Sequence, residues 1–280
     1  GHVQQNASRY DEALQTQLEA LELVRKLNNR QIECTCLDRI GVIYRSMGLR
    51  NAFKYFEEAL LLAKALNRTR DIGGILENIG IAHYRFGEAS KAVEYLNEAL
   101  VYARKANDQN AEARALTNLS YAYTLSNLYK EALEVGRRAN ELSQQRSFKR
   151  LIGFSFEYLG RAFIGLEQYG EAITHLEQSL DIARKIKNAS GEMQALAGLG
   201  VAALQMRKMD AVTQYLLGAL QIAEKLSSNP MLGECHMLLG DYYNQVGEFS
   251  RAKYYYQRAV DIYEKMEMPT IVELLKSKMS

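Results

Sequence analysis

Three polar residues in the middle of the chain have the types and the spacing of a binding surface. Arg114, Asn118 and Tyr121 follow one another at intervals of four and three residues, so on an α-helix they share one face. An arginine can pair with a carboxylate through two parallel hydrogen bonds, and an asparagine can both donate to and accept from a peptide backbone. A tyrosine adds a large contact area at a small entropic cost. This chemistry indicates recognition of a peptide or protein rather than bond breaking.

Residues that could carry catalysis or hold a metal do not form a recognisable set. The sequence contains no G-x-x-x-x-G-K-[ST], no G-x-S-x-G and no H-E-x-x-H, so the motifs for phosphate binding, acyl transfer and zinc hydrolysis are absent. Cys235 and His236 are neighbours without a second ligand pair, which argues against zinc. His83 is interpreted as a packed side chain rather than a base. We expect no enzyme activity, no metal and no cofactor.

The composition is that of an ordinary folded chain. It is 48% hydrophobic, with 35 Lys and Arg against 33 Asp and Glu, so it is too apolar for disorder and too evenly charged to indicate a nucleic-acid partner. A local basic run from Arg137 to Arg150 is interpreted as a solvated helix end and linker. No apolar run approaches the roughly 18 residues of a membrane span. The few cysteines predict reduced thiols and a cytoplasmic location.

The elements that position these side chains repeat about every 40 residues. A small residue recurs inside an apolar helix at steps of 39, 40, 40, 40 and 40 residues, and a mostly alanine column keeps the same steps. The columns are Gly41, Gly80, Ser120, Gly160, Gly200, Gly240 and Ala13, Ala52, Ala92, Ala132, Ala172, Val212, Ala252. Apolar residues after each alanine follow helical rather than strand spacing. Each unit therefore predicts two helices.

The glycine column predicts a close contact between paired helices. A glycine inside a helix costs about 1 kcal/mol relative to alanine, a loss that is tolerated where two helix backbones approach closely. We therefore expect the small residue of each first helix to lie against the second helix. Gly136 and Asn140 break the pattern, because leucines stand at these positions one repeat earlier. We expect the middle of the array to be its least stable part.

The repeated pattern resembles the tetratricopeptide repeat (TPR). Its motif is Leu-Gly-x-x-Tyr followed by Tyr or Phe-x-x-Ala, as in Leu239-Gly240 with Tyr243 and Phe249 with Ala252. The period of 40 residues is longer than the usual TPR period of about 34 residues. The proline that usually closes the second helix is absent. This longer variety is similar to the repeats of Leu-Gly-Asn (LGN-type) polarity adaptors, kinesin light chains and bacterial signalling arrays. The resemblance implies an all-α, right-handed superhelical solenoid of paired antiparallel helices, about 14 in number.

A single array is expected over residues 1–280. Gly1-His2 resembles a cloning remnant, and residues 6–27 are expected to form the second helix of an incomplete first repeat, so we interpret the chain as a fragment of a longer protein. The six full repeats are predicted at 30–67, 70–107, 110–147, 150–187, 190–227 and 230–267, with a capping helix at 269–279. The apolar side of residues 13–24 is expected to be uncovered and to allow self-association.

The concave surface of such a solenoid is lined mainly by the first helices, and residues outside the Leu-Gly-Tyr pattern should face it. The predicted partner-binding residues are Asn78, Arg85, Arg114, Asn118, Tyr121, Tyr158, Arg161, Val201, Leu204 and Met237. Asn78 and Asn118 hold equivalent positions in adjacent repeats. The resemblance to LGN-type adaptors implies that asparagines at this place hold the backbone of a bound peptide.

Two functions remain open from the sequence. The first is a non-enzymatic scaffold that binds a partner peptide or protein in its concave groove, in signalling or complex assembly. The alternative is a sensory or regulatory segment that acts in cis on an effector domain of a longer signalling protein. Neither a nucleic acid nor a membrane is expected as a partner.

Overall fold

The computed structural model describes the backbone of residues 2–279 and the side chains from residue 10 to residue 279. Within this range the chain forms fourteen α-helices, which confirms the predicted all-α array. The helices are α1 His2–Lys26, α2 Arg30–Met47, α3 Asn51–Ala65, α4 Thr69–Arg85, α5 Ala89–Lys105, α6 Gln109–Leu125, α7 Tyr129–Gln145, α8 Lys149–Gly165, α9 Tyr169–Lys185, α10 Ala189–Gln205, α11 Met209–Leu226, α12 Asn229–Gln245, α13 Phe249–Lys265 and α14 Pro269–Met279. Each even-numbered helix from α2 to α12 packs on the odd-numbered helix that follows it.

The small column lies where the two helices of a repeat meet. A carbon added at Gly80 would lie 2.7 Å from Cγ of Leu96, and one added at Gly160 would lie 2.6 Å from Cγ of Leu176. Both distances are far below van der Waals contact, so a larger residue would force the paired helices apart. The glycines are therefore required by close packing of the two helices.

The irregular middle repeat keeps this contact by exchanging the sizes of the two residues. Ser120 stands in the small column, and Gly136 stands where the facing residue is large in other repeats. A carbon added at Gly136 would lie 2.7 Å from Oγ of Ser120. The buried Ser120 hydroxyl donates to the carbonyl oxygen of Ala132 at 2.8 Å, so its burial leaves no unpaired donor.

The first helix, α1, is packed against the next repeat. Leu21 and Val24 are buried in the core cluster of α2, α3 and α4, and Leu14 and Leu18 pack against the same cluster. The face that the sequence predicted for self-association is therefore largely covered within the chain. Leu23, on another side of α1, stays exposed.

The two ends of the array contact each other. The side-chain amide of Asn229, at the start of α12, donates to the carbonyl oxygen of Met47, at the end of α2, at 3.2 Å. Phe86, after α4, is buried in one cluster with Met266 and Met268, which lie between α13 and α14. Helix α1 also contacts α11. The superhelix therefore closes on itself, and the segment between α13 and α14 lies beside the end of α4.

Candidate binding site on the concave surface

Most of the predicted partner-binding residues border cavities on the concave side. Asn78 and Arg114 line a pocket between α2, α4 and α6, the residues Arg85, Tyr121, Tyr158, Arg161 and Met237 line a central cavity, and Val201 lines a smaller recess beside it. The even-numbered helices bring these residues together because adjacent ones pack side by side along the array. Only two of the predicted residues, Asn118 and Leu204, line none of these cavities.

The two predicted asparagines are bound to neighbouring helices. Nδ2 of Asn78 donates to Oδ1 of Asp38 at 2.9 Å, and its Oδ1 accepts from Nη1 of Arg45 at 2.9 Å. Nδ2 of Asn118 donates to Oε1 of Glu77 at 3.0 Å, and its Oδ1 accepts from the hydroxyl of Tyr84 at 3.3 Å.

We call these two sets of contacts the asparagine bridges. In each set, the asparagine bonds an acidic residue and a hydrogen-bond donor on the first helix of the preceding repeat. The two sets occupy equivalent positions in adjacent repeats. The side-chain amide that the resemblance assigns to peptide binding therefore holds adjacent repeats together in this protein. One N–H and one oxygen lone pair of each amide are therefore committed to the neighbouring helix.

Arg114 is part of the same wall. Its guanidinium reaches Glu77 on α4 with Nη2 2.7 Å from Oε2 and Nε 3.1 Å from both carboxylate oxygens. The Glu77 side chain is buried, whereas the Arg114 side chain is 41% exposed. Arg114 neutralises a buried carboxylate, so its first role is to stabilise the contact between α4 and α6.

Arg161 is more deeply buried and joins α8 to α12. Its Nε donates to Oε1 of Glu157 on the same helix, and its Nη1 donates to Oε1 of Glu234 on α12 at 2.9 Å. The Arg161 side chain is 13% exposed and that of Glu157 is 1% exposed. Burial opposes the charged form of Arg161, but the carboxylates of Glu234 and Glu157 hold its pKa well above the usual value.

Glu157 is the most unusual ionisable group of the concave wall. Burial raises the pKa of its carboxyl to about 7, although the charge of Arg161 and a hydrogen bond from it act in the opposite direction. Its second oxygen, Oε2, is buried and has no hydrogen-bond partner among the described residues. Loss of solvation therefore outweighs the ion pair.

A row of tyrosines runs across α4, α6 and α8. Tyr84 and Tyr121 meet edge to face with ring centroids 5.1 Å apart, and Tyr121 and Tyr158 stack at 4.6 Å. The guanidinium of Arg161 lies 5.7 Å from the centroid of the Tyr121 ring. Burial raises the pKa of Tyr121 and of Tyr158, so both hydroxyls stay protonated at neutral pH. The row forms a rigid aromatic wall.

The central cavity has a volume of about 370 Å³. One end is bordered by Tyr84, Arg85 and the tyrosine row. The lining also includes an apolar group that we call the methionine wall, and the carboxylate of Glu234, which is paired with Arg161. The methionine wall comprises Met193, Met231, Met237, Met268 and Ile271. Oε1 of Gln194, which lines the cavity, is buried without a hydrogen-bond partner among the described residues. A cavity of this size, mostly apolar with a few convergent polar groups, has the character of a ligand site.

Sequence reasoning missed several residues of this cavity for two different reasons. Tyr84 lies four residues after Gly80, and the predicted residue Leu204 lies four residues after Gly200. The repeat spacing could therefore have identified Tyr84 as the position equivalent to Leu204. Tyr263 of α13, Met268 of the following turn and Ile271 of α14 reach the cavity because the array closes on itself. No pattern in the sequence indicates that closure.

Leu204 is placed in the protein core rather than on the groove. It is 3% exposed and packs in one cluster with Leu216 and Leu238. Its position in α10 matches that of Tyr84 in α4, but at this repeat the neighbouring helices cover it. Val201, three residues earlier, is half-buried and borders the recess beside the cavity.

His83 and the cysteines, whose side chains could in principle take part in catalysis or metal binding, are packed inside the protein. The His83 ring lies 4.6 Å from the Phe53 ring and 5.1 Å from the Tyr95 ring, and its Nδ1 lies 2.7 Å from Oε2 of Glu88. All three cysteines are buried as free thiols. From residue 10 to residue 279, no group of three His, Cys, Asp or Glu side chains is arranged to hold a metal ion.

No helix of residues 2–279 combines the length and the apolar character needed to cross a membrane.

Comparison with known families identifies the repeats. The family described as "Tetratricopeptide repeat" matches residues 71–145 and 191–265, and a second description of the same repeat matches residues 159–186. These segments cover more than half of the chain. The chain belongs to the tetratricopeptide repeat family, whose members generally mediate protein–protein interactions.

Relatives and solved structures agree with this assignment. Tetratricopeptide repeat protein 29 of Macaca fascicularis is 26% identical over 146 residues, which cover 52% of this chain and 31% of that protein. The structure of NprR in complex with its cognate peptide NprX superposes with a TM-score of 0.70 at 15% identity, covering 98% of this chain and 82% of that one.

A Rap protein complexed with Competence and Sporulation Factor superposes with a TM-score of 0.66 at 12% identity, covering 99% of this chain and 84% of that one. Identities this low establish a shared fold alone. The matched part of the chain spans about a third of the length of Tetratricopeptide repeat protein 29 and of Outer dynein arm-docking complex subunit 4 of Danio rerio.

Proposed function

We propose that this tetratricopeptide repeat array is a non-enzymatic interaction module that binds a peptide segment of its partner in the central cavity and along the adjoining concave surface. The observation that carries the proposal is the cavity itself. It has a volume of about 370 Å³, and it combines an aromatic and cationic end with a methionine-rich wall. Methionine and tyrosine side chains are typical of surfaces that accommodate peptides, because they adapt to or cover large apolar groups.

The solved structures with the same fold support this choice of ligand. NprR and the Rap protein were each solved with a bound partner, named for NprR as a cognate peptide. Their similarity covers nearly the whole of this chain, so the interior of the superhelix is present in all three. For this chain, the cavity supports the proposed position of the ligand. Its walls include the predicted residues Arg85, Tyr121, Tyr158, Arg161 and Met237.

Peptide selection tests the proposal. A displayed library of random heptapeptides is selected on the immobilised protein, and the enriched peptides are titrated by fluorescence anisotropy. In the variant Gln194→Trp, a large ring replaces a cavity-lining side chain. We expect it to weaken binding at least about tenfold, because it occupies the ligand's volume.

The matched control is Val101→Trp, which places the same ring at a residue that is 61% exposed and lines none of the three cavities described above. We expect binding to change less than about twofold, since an exposed substitution disturbs little. Equal binding by both variants would show that peptides bind elsewhere and would overturn the proposal.

A second candidate function is regulation in cis within a longer protein. It is favoured by the observation that the match covers only about a third of the length of the two relatives named above. In this case the occupant of the cavity would control an effector domain on the same polypeptide. The parent reading frame tests this: an effector domain whose activity responds to the Gln194→Trp substitution supports it, and a parent protein without further domains contradicts it.

A further inference from the structure

The arginines of the concave wall differ in whether the protein itself neutralises them. Arg114 is paired with Glu77, and Arg161 is paired with both Glu157 and Glu234. Arg45 donates to the side chain and the backbone carbonyl of Asn78, whose amide also holds Asp38. Each of these guanidinium groups is therefore used by the fold.

Arg85 is the exception in this wall. It is half-buried and lines the central cavity at the end of α4. Among the described residues it has neither a carboxylate partner nor a hydrogen bond from its guanidinium. An arginine has five N–H donors and accepts nothing, so Arg85 presents unused donors and a full positive charge to the cavity.

The surroundings of Arg85 increase the positive potential rather than cancel it. Arg45 is close enough that the two charges oppose each other: burial first, and the charge of Arg85 second, lower the pKa of Arg45 to about 10. Asp38 lies outside the cavity lining and bonds Asn78, and the cavity-lining carboxylate of Glu234 is paired with Arg161, so neither is bonded to Arg85. The α4 end of the cavity is therefore electropositive.

The rest of the cavity defines what else the ligand must present. Besides Arg85, the cavity is lined by the tyrosine row and by Met193, Met231, Met237 and Met268. A ligand that pairs with Arg85 would place its next groups against aromatic and thioether surfaces, which favour apolar side chains. The charge and the lining of the cavity therefore favour a ligand with an acidic group next to apolar residues.

We infer that Arg85 is the anchor for a carboxylate of the bound peptide, with the apolar residues next to that carboxylate lying against the methionine wall. This inference rests on the proposed function, because it specifies the ligand of the same cavity. The carboxylate is that of an aspartate or glutamate side chain or of the peptide's own C-terminus. Planar pairing of guanidinium and carboxylate forms two parallel charge-assisted hydrogen bonds.

The experiment uses the full chain and two heptapeptide libraries, one with a free C-terminus and one with an amidated C-terminus. Selection on the unsubstituted protein should enrich Asp or Glu at one position beside apolar residues, or should require the free C-terminus. These two outcomes separate the two sources of the carboxylate, and each supports the inference.

Variants of Arg85 show whether this residue binds the acidic group of the peptide. Arg85→Gln should bind the selected acidic peptide at least about tenfold more weakly, the usual effect of losing a hydrogen bond to a charged group. Arg85→Glu should select Lys or Arg at the position where the unsubstituted protein selects an acid. The control Arg137→Gln removes an exposed arginine of α7 outside the cavity and should leave affinity within about twofold, as surface changes generally do.

The outcomes that overturn the inference differ from those that overturn the proposed function. Enriched peptides that lose affinity in Gln194→Trp, but carry no acidic group and bind Arg85→Gln equally well, would leave the cavity as the binding site and refute the role of Arg85. Failure to recover any peptide that depends on the cavity would overturn the proposed function and the inference with it. Circular dichroism of each variant confirms that the compared proteins are folded.

Discussion

Two regions of the concave surface use the same residue types for different purposes. In the bonded wall, which comprises the asparagine bridges, the Glu77–Arg114 pair and the Glu157–Arg161–Glu234 group, every asparagine and arginine binds a neighbouring helix. At the α4 end of the central cavity, Arg85 binds no neighbouring helix within the described part of the chain. This difference shows that polar residues outside the helix-packing pattern can still hold adjacent repeats together. Only the partner of each side chain distinguishes a structural residue from a candidate ligand contact.

The largest effect is expected where the bonded wall is most buried. Arg161→Ala removes the only cation that hydrogen-bonds the buried carboxylate of Glu157 among the described residues. Breaking a buried ion pair in this way costs about 3–5 kcal/mol of unfolding free energy. Urea denaturation should show this loss, and it should shrink in the double variant Arg161→Ala with Glu157→Leu. A loss below about 1 kcal/mol would mean that the group is solvated and not structural.

A smaller effect in the bonded wall depends on pH. The pKa of Glu157 is raised to about 7 in the folded protein, whereas in the unfolded chain it is about 4.3. Between these values the folded state binds more protons, so the contribution of Glu157 to stability is present at low pH and is lost as pH rises towards 7.

The expected size of that change is up to about 3 kcal/mol. It appears as the difference between the stability–pH curves of the unsubstituted protein and of Glu157→Gln, which cannot titrate at this position. Arg161 and Glu234 face Glu157 in both proteins, so their effects cancel in the difference. Parallel curves from pH 4.5 to pH 7.5 would contradict the burial of this carboxyl.

A third prediction concerns the asparagine bridges. Asn118→Ala removes a donor to the buried carboxylate of Glu77 and an acceptor for the hydroxyl of Tyr84. We expect a loss of about 1–2 kcal/mol in unfolding free energy, because Arg114 still neutralises Glu77. Asn97→Ala is the control: its amide only donates to a carbonyl of its own exposed helix face. A loss no larger than that of the control would mean that the bridge is not structural.

The smallest effect on stability is expected at the cavity. Arg85→Ala removes a guanidinium that makes no hydrogen bond within the described residues. We expect the unfolding free energy to change by no more than about 0.5 kcal/mol, and the removal of repulsion with Arg45 should favour the variant. A large destabilisation in thermal melts would place Arg85 in the bonded wall after all.

The sequence predicted the helices and the contact line between them, because both depend on local periodicity. The glycine column indicated close packing, and a carbon added at Gly80 or Gly160 would indeed collide with a leucine of the paired helix. The exchange of sizes at Ser120 and Gly136 was not foreseen. It requires knowing that these two residues face each other, whereas the sequence shows each only in its own column.

The candidate site was predicted as a surface, but its internal bonding was not. Asn78 and Asn118 were placed in equivalent positions, yet their partners Asp38 and Glu77 lie about 40 residues away. Whether such side chains meet depends on the distance between adjacent repeats, which no residue pattern gives. Leu204 was assigned to the groove by helical spacing alone and is buried, since the covering helices differ from one repeat to the next.

The central claim is that the bonded wall stabilises the array and the cavity binds the ligand. The most direct test is the affinity of one selected acidic peptide, titrated against Arg85→Gln and Asn118→Ala, with the melting temperature of each variant measured alongside. We predict that Arg85→Gln lowers affinity at least about tenfold at an unchanged melting temperature. Asn118→Ala should lower the melting temperature and keep affinity within about twofold. The reverse pattern would contradict the account, because it would place binding in the bonded wall and structure at Arg85.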